Sequence, residues 1–186
     1  GRIILEGESI APPHLAIGYH PQSDALFPWL TVVENAAVGL EVAGLPRAEA
    51  VARVEPLLAH FGLEGTADLF PAALSNGMRQ RAAFLRTMAP ERRWLLLDEP
   101  FSALDAVTRL RMQGWLRDRL KARRRGVLMV THDLHEATSL GDRIRVMAGP
   151  PARIVADLPV PGPPSQRSET GLAPLRDSLK SLLLED

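Results

Sequence analysis

Cysteine is absent from the 186 residues. That excludes disulfides, thiol catalysis and zinc sites built on cysteine. Net charge is absent too, since Lys+Arg and Asp+Glu each number 22. A chain without a basic excess lacks the field needed to wrap nucleic acid or to coat an anionic membrane. No apolar run approaches the roughly 18 residues of a membrane-spanning helix, and no charged-then-apolar secretion signal opens the chain. Lysine is nearly missing: of the 22 basic residues, only Lys121 and Lys180 are lysines. The chain starts at Gly1, not at a methionine. What is present is 46% apolar and 24% charged, the composition of a globular chain able to bury a sizeable core in one domain or slightly more. A soluble, cytoplasmic protein is the expectation.

Patterning along the chain predicts an α/β organisation. Arg2 to Leu5 and Leu15 to Tyr19 read as short strands, the first meeting Glu6-Gly7 and the second running into His20-Pro21-Gln22. Thr31 and Glu34 have capping-box spacing for a helix reaching about Val42 and stopping at Gly44. Val51, Val54, Leu57, Leu58 and Phe61 recur at helical spacing up to Gly62, with Pro56 interrupting the run. A helix follows from Gly77 to about Met88. Trp94 to Leu97 and Val127 to Val130 are continuous apolar runs, as expected of parallel strands covered on both faces. A long helix from about Asp105 to Arg124, closed by Gly126, lies between them. Asp133 with Glu136 repeats the capping-box spacing and predicts a helix to Leu140. Ile144 to Met147 and Arg153 to Ala156 read as closing strands. Pro159 to Ser168 has the composition of a linker, and Leu172, Leu175, Leu179 and Leu182 mark an amphipathic C-terminal helix. The predicted division is 1–23, strands of a core; 24–88, a helical insert; 89–158, the rest of the core; and 159–186, linker and terminal helix.

Ligands of parallel α/β sheets gather at the carboxyl ends of strands. Three strands here end in reactive residues: one before Gln22, one in Asp98-Glu99, one in Thr131-His132-Asp133. One carboxylate of the pair can hold a hydrated magnesium ion, and the other can orient or deprotonate water. A histidine on a neighbouring strand end can sense or stabilise a leaving phosphoryl group, and a glutamine can hold water or metal. This set is what a nucleotide hydrolase uses, where catalysis is mostly positioning and charge neutralisation. Singly, each feature is ordinary, since an Asp-Glu pair after a strand is usually a capped loop. Ser75 and Gly77 at a helix start make a second feature, an N-terminus able to receive an anion. The basic run Arg117, Arg119, Lys121, Arg123, Arg124 and Arg125 reads as a solvated helix end complementing the dipole, in preference to a nucleic-acid patch.

Taken together, these residues resemble the ATP-binding subunits of ABC transporters. Leu74-Ser75-Asn76-Gly77-Met78-Arg79-Gln80-Arg81 looks like the signature motif. Trp94 to Pro100 looks like Walker B with its catalytic glutamate, Ser102-Ala103-Leu104-Asp105 like the D-loop, and Val130-Thr131-His132-Asp133 like the H-loop. Gln22 falls where the Q-loop glutamine belongs. Order and spacing agree over about residues 1 to 157, most closely with importers of nitrate, sulfonate, taurine or thiamine precursors. The resemblance implies a P-loop NTPase-like (RecA-like) parallel core with an inserted α-helical subdomain. It implies ATP and Mg²⁺ as ligands, with Glu99 polarising water, Asp98 holding magnesium through water, His132 contacting the γ-phosphate, and Gln22 joining the metal and water site. Ser75, Gly77, Met78 and Asp105 would act in trans across a homodimer. A transmembrane permease would dock on the helical insert, with a periplasmic or extracellular solute-binding protein as an indirect partner and no nucleic acid. The implied location is peripheral, on the cytoplasmic face of the cell membrane.

Two departures accompany the likeness. Asn76 stands where the signature's first glycine belongs, and asparagine tolerates left-handed geometry better than most residues. No Gly-x-x-x-x-Gly-Lys-Ser/Thr, the Walker A loop that cradles phosphates, occurs in the 186 residues. The corresponding expectation is an N-terminally truncated subunit lacking the first strand and P-loop helix, with apolar sheet surface left facing water. The alternative is a non-hydrolysing remnant that serves only as an interaction or dimerisation fragment, and the reading frame upstream of Gly1 separates the two. An ABC-type ATPase of DNA repair is a remoter reading, since no long heptad repeats are present. The isolated 186 residues are expected to bind ATP weakly or not at all; micromolar affinity in a nucleotide titration would refute this.

Overall fold

The computed structural model describes residues 1–122, 125–164 and 166–184. The chain opens with a hairpin, β1 (Ile3–Leu5) against β2 (Glu8–Ile10), antiparallel. Glu6 and Gly7 both take positive φ, 53° and 91°, as a two-residue turn matching strand twist requires. Strand β2 carries no signal of its own: Glu-Ser-Ile is neither apolar nor alternating enough to be read as a strand without its partner.

The centre is a three-stranded parallel sheet in the order β3 (Ile17–His20), β4 (Trp94–Asp98), β5 (Gly126–Val130). Its register aligns Tyr19 with Leu96 and Leu128, and His20 with Leu97 and Met129. Alternation along the strands puts His20, Leu95 and Leu97 on one face, where all three are buried. Tyr19, Leu128 and Val130 stand on the other, 59%, 64% and 56% exposed. Apolar sheet surface facing water is thus present mainly on that side, with Val127 of the edge strand β5 also partly exposed on the other. Gly126, expected to close a helix, instead starts β5. A Cβ there would lie 2.0 Å from the Trp94 ring, so the glycine makes room for an indole across the ladder.

The covered face packs on a helical layer. α1 (Val32–Val42) starts from the predicted capping box: Thr31 Oγ1 accepts the Glu34 N–H at 3.4 Å, and Glu34 Oε2 accepts the Thr31 N–H at 2.8 Å. α2 (Arg47–Val54) stops before Pro56, and the chain continues as 3₁₀ turns over Glu55–Leu57 and Ala59–Phe61 to the left-handed Gly62. The break fits a proline that cannot donate to the helical ladder. α3 (Asn76–Met88) and α4 (Ala106–Ala122) complete the layer; Arg123 and Arg124 of the basic run lie outside the described residues. The few aromatics are concentrated here. Phe84 lies 5.4 Å from Phe101 and 6.0 Å from Phe61, and Phe61 lies 4.8 Å from Trp115, ring centre to ring centre. Tilted and edge-on pairs of this kind add to the area they bury.

α5 (Leu134–Leu140) follows β5, and β6 (Arg143–Ala148) pairs antiparallel with β7 (Arg153–Pro159) in a separate hairpin. The proline-rich stretch after β7 is tied down: the Val160 N–H donates to Asp142, and Arg167 donates to the carbonyls of Thr138, Ser139 and Gly141 at the end of α5. α6 (Glu169–Leu184) packs on α5 and β6, burying Leu172 and Leu179. Of the described basic residues near the end of α4, Arg119 and Arg125 pair with Glu91 at 3.5 and 3.7 Å.

Asn35 of α1 is wholly buried. It accepts the Phe27 N–H at 2.8 Å and donates to the carbonyls of Phe27, Leu30 and Thr31 at 2.9–3.0 Å. Replacing it leaves those backbone groups without partners in a dry site. Asn35→Ala is expected to cost roughly 3 kcal/mol, read as a lower urea midpoint at unchanged slope. Arg53→Ala, which breaks an exposed pair with Glu49, is expected to stay within about 0.5 kcal/mol.

Candidate functional site

Parallel pairing brings three strand ends to one rim. β3 ends at His20, and the exposed Gln22 follows two residues later. β4 ends at Asp98, opposite Val130 of β5, and Glu99 follows at once. His132 comes two residues after the end of β5. The Glu99 backbone is left-handed, φ 45°, a conformation a non-glycine residue holds only when its surroundings over-determine it. They do so from both sides. The Glu99 N–H donates to the Val130 carbonyl at 2.9 Å, and the Glu99 carbonyl accepts from the Ser102 N–H at 3.3 Å and its hydroxyl at 3.1 Å. The Glu99 side chain meets the imidazole of His132, Oε2 to Nδ1 3.0 Å. His132 is 73% exposed while Glu99 is 21% exposed, so the pair lies in a surface pocket open to solvent and shared with Ser102, Arg109 and Glu136.

Beside His132 the second predicted capping box is only half made. Asp133 Oδ1 accepts the N–H groups of His135 and Glu136 at 2.7 and 3.2 Å. The Glu136 carboxylate does not reach back to Asp133, whose N–H donates to Thr131 Oγ1 at 3.0 Å; it accepts the Thr131 hydroxyl at 2.7 Å instead. Glu136 is buried, and burial pushes its carboxyl above the usual range. A desolvated carboxylate takes the donors within reach, here Thr131 and Gln113.

The signature residues sit on the first turn of α3. Ser75 Oγ accepts the Met78 N–H at 3.3 Å, and Asp105 Oδ1 accepts the Thr108 N–H at 3.0 Å at the start of α4. That last bond holds the Asp105 carboxyl below its ordinary value. Both residues are therefore used by their own helices, not by Glu99 or His132. Asn76 bonds Arg79 and begins α3 without a positive φ, so its left-handed tolerance is not called upon. A Cβ at Gly77 would meet only the Ala103 carbonyl, at an ordinary 3.5 Å. The fold of this chain does not itself demand a glycine there.

α3 also grips the loop that carries Gln22. Arg79 Nε lies 3.1 Å from Asp24 Oδ2, and Arg86 donates to the carbonyls of Asp24 and Ala25 at 2.9 and 2.7 Å. Two residues before Gln22, His20 is buried against Phe84 of α3, with its Nε2 3.2 Å from Gln80 Nε2. These latches escaped the sequence reading. The available signal was the alternation in β3, which puts His20 on the face shared with Leu95 and Leu97. Burial, then the Arg86 charge, lower the His20 pKa to about 4. Its folded value thus lies below the unfolded 6.5, so the unfolded chain takes up a proton that the folded chain refuses. Stability is expected to be full above pH 6.5 and to fall by about 3 kcal/mol toward pH 4. Denaturation midpoints across that window should show this slope, and His20→Gln should remove it.

With this geometry, the relatives of the chain can be placed. The ABC transporter family pattern matches residues 1–102. The formylaminopyrimidine import ATP-binding protein of Halalkalibacterium halodurans is 40% identical over 176 residues, covering 91% of this chain and 71% of that protein. The taurine import ATP-binding protein of Pseudomonas aeruginosa is 46% identical over 160 residues, covering 86% and 61%. Among solved structures, a dimeric post-hydrolysis state of an ATP-binding cassette bound to ADP and Pi superposes with a TM-score of 0.76 at 25% identity, over 87% of this chain and 74% of that one. A second dimeric bacterial ABC transporter cassette gives 0.70 at 28% identity, over 78% and 63%. The chain spans 71% and 61% of the two curated relatives. It belongs to the ABC transporter family, as an ATP-binding cassette with the α/β fold of the family's ATPases.

Proposed function

We propose that this chain works as the ATP-hydrolysing subunit of an ABC importer, coupling hydrolysis to solute uptake. The observation that carries the reading is the Glu99–His132 contact of 3.0 Å at the rim shared by β3, β4 and β5. A carboxylate bonded to an imidazole can draw a proton from water while the ring stays aimed at a phosphoryl oxygen. In that role Glu99 polarises the attacking water and His132 contacts the γ-phosphate.

Asp98 and Gln22 form the metal side of the site. Among the described residues, no group of three or more His, Asp or Glu is placed to hold an ion. One carboxylate with a carboxamide from the neighbouring strand end suits magnesium, which keeps several waters and takes its remaining ligands from substrate phosphates. Bound there, the ion would neutralise charge developing on the phosphates. Gln22 reports the state of this site, because its loop is held to α3 by Arg79 and Arg86.

Ser75, Gly77, Met78 and Asp105 act on the ATP of a second copy. Gly77 fits this role because nothing inside its own chain requires it, and both cassettes described above are dimeric. The stretch 24–88 supplies the permease-docking surface, where Trp29 is 69% and Val42 65% exposed. The permease in turn works with a solute-binding protein, and the cassette sits on the cytoplasmic face of the membrane. No helix among the described residues is long and apolar enough to cross a membrane.

The test is Glu99→Gln in the intact protein with its permease. Turnover is expected to fall by about two to four orders of magnitude with ATP binding retained. Unchanged steady-state hydrolysis would remove Glu99 from the role.

A further inference from the structure

Exposed as it is, His132 cannot be oriented by packing. Apart from Glu99, what holds it is the backbone on either side, and both flanking residues are tied to one cluster. Thr131 donates to Glu136 at 2.7 Å and accepts the Asp133 N–H at 3.0 Å. Asp133 caps α5 with one carboxylate oxygen and, with the other, lies 3.4 Å from Arg109 Nη1. Arg109 belongs to the first turns of α4. Its Nη2 donates to the carbonyl of Leu104, the residue before Asp105, at 3.1 Å. Its Nε is buried without a hydrogen bond and faces Glu136 Oε1 at 3.9 Å. Gln113, one turn further along α4, donates to the same Glu136 oxygen at 3.3 Å.

We infer that Arg109 is a positioning residue for hydrolysis: one guanidinium joins the D-loop to Asp133 directly and faces Glu136, the partner of Thr131, and so sets the ring between them against Glu99. The inference rests on the reading of His132 given above and adds a route into it. Asp105 is where a second copy would press on closure, and the buried Leu104 is its immediate neighbour. A shift there passes through the planar fork of Arg109 to Asp133 and Glu136, and from them to the backbone that carries the imidazole. Arginine suits the task because its donors diverge in a fixed plane; lysine at this place could keep the charge but not serve a carbonyl and two carboxylates together. The Nε–Glu136 separation is slightly too long for a hydrogen bond, so a displacement of under about 1 Å completes the network.

The experiment uses the intact protein and two readouts. In ATP turnover, Arg109→Ala is expected to lower kcat roughly ten- to a hundredfold, with KM changed by less than about twofold. Arg109→Lys should recover part of the loss. On a His132→Ala background, Arg109→Ala should cost nothing further, because its effect runs through that ring. In the ring-nitrogen NMR spectrum, the His132 signals should move toward those of a free, solvated histidine in Arg109→Ala. If Arg109→Ala does not fold, Arg109→Lys and Glu136→Gln carry the same spectral test. Additive losses of turnover, or His132 signals superimposable on those of the parent in the folded variants, overturn the inference. Failure of the ATPase reading is distinguishable, since it shows as turnover indifferent to Glu99→Gln while the spectrum still reports whether Arg109 holds His132.

Discussion

Parallel pairing of β3, β4 and β5 is the constraint on which the site depends. Antiparallel strands would send neighbouring carboxyl ends to opposite rims. Here three segments far apart in the chain deliver Gln22, Asp98-Glu99 and His132 to one edge. The ladder even closes the site, since the carbonyl of Val130, last residue of β5, holds the N–H of Glu99. The strained backbone at Glu99 is stable because the sheet's own hydrogen bonding ends on it.

A second layer of organisation runs through α3 and α4. α3 starts with the signature residues and, further along, secures the Gln22 loop through Arg79 and Arg86. α4 starts with Asp105 and, within one turn, reaches the segment of His132 through Arg109. Each helix therefore has one end that the proposed function turns toward a second copy and a nearby grip on a loop at the rim of strand ends. Rigid rods with two attachments would suit the proposed coupling of dimer closure to hydrolysis.

Much of this was legible in the linear order of residues. Continuous apolar runs marked β4 and β5, the Thr31–Glu34 spacing marked the start of α1, and polar residues beyond the strands marked the rim. What escaped was decided at long range. Strand β2 exists because β1 pairs with it. Gly126 opens a strand because Trp94 lies across from it. Glu136 leaves its capping role because burial makes Thr131 and Gln113 better partners. Arg109 carries no motif; its meaning comes from the meeting of α4 with the loop after β5.

The scarcity of lysine acquires a meaning from these contacts. Arg81 holds the carbonyls of Phe61 and Gly62, Arg86 those of Asp24 and Ala25, Arg92 that of Gly39, and Arg167 three at the end of α5. In each case a cation is tied to neutral backbone oxygens, often two or more at once, which suits a forked planar donor better than a single ammonium. Guanidinium also keeps its proton far into alkaline solution, where amines have become neutral. The loops of this cassette are thus fastened by forked cations, and amine-directed reagents find almost nothing beyond Lys121 and Lys180 to modify.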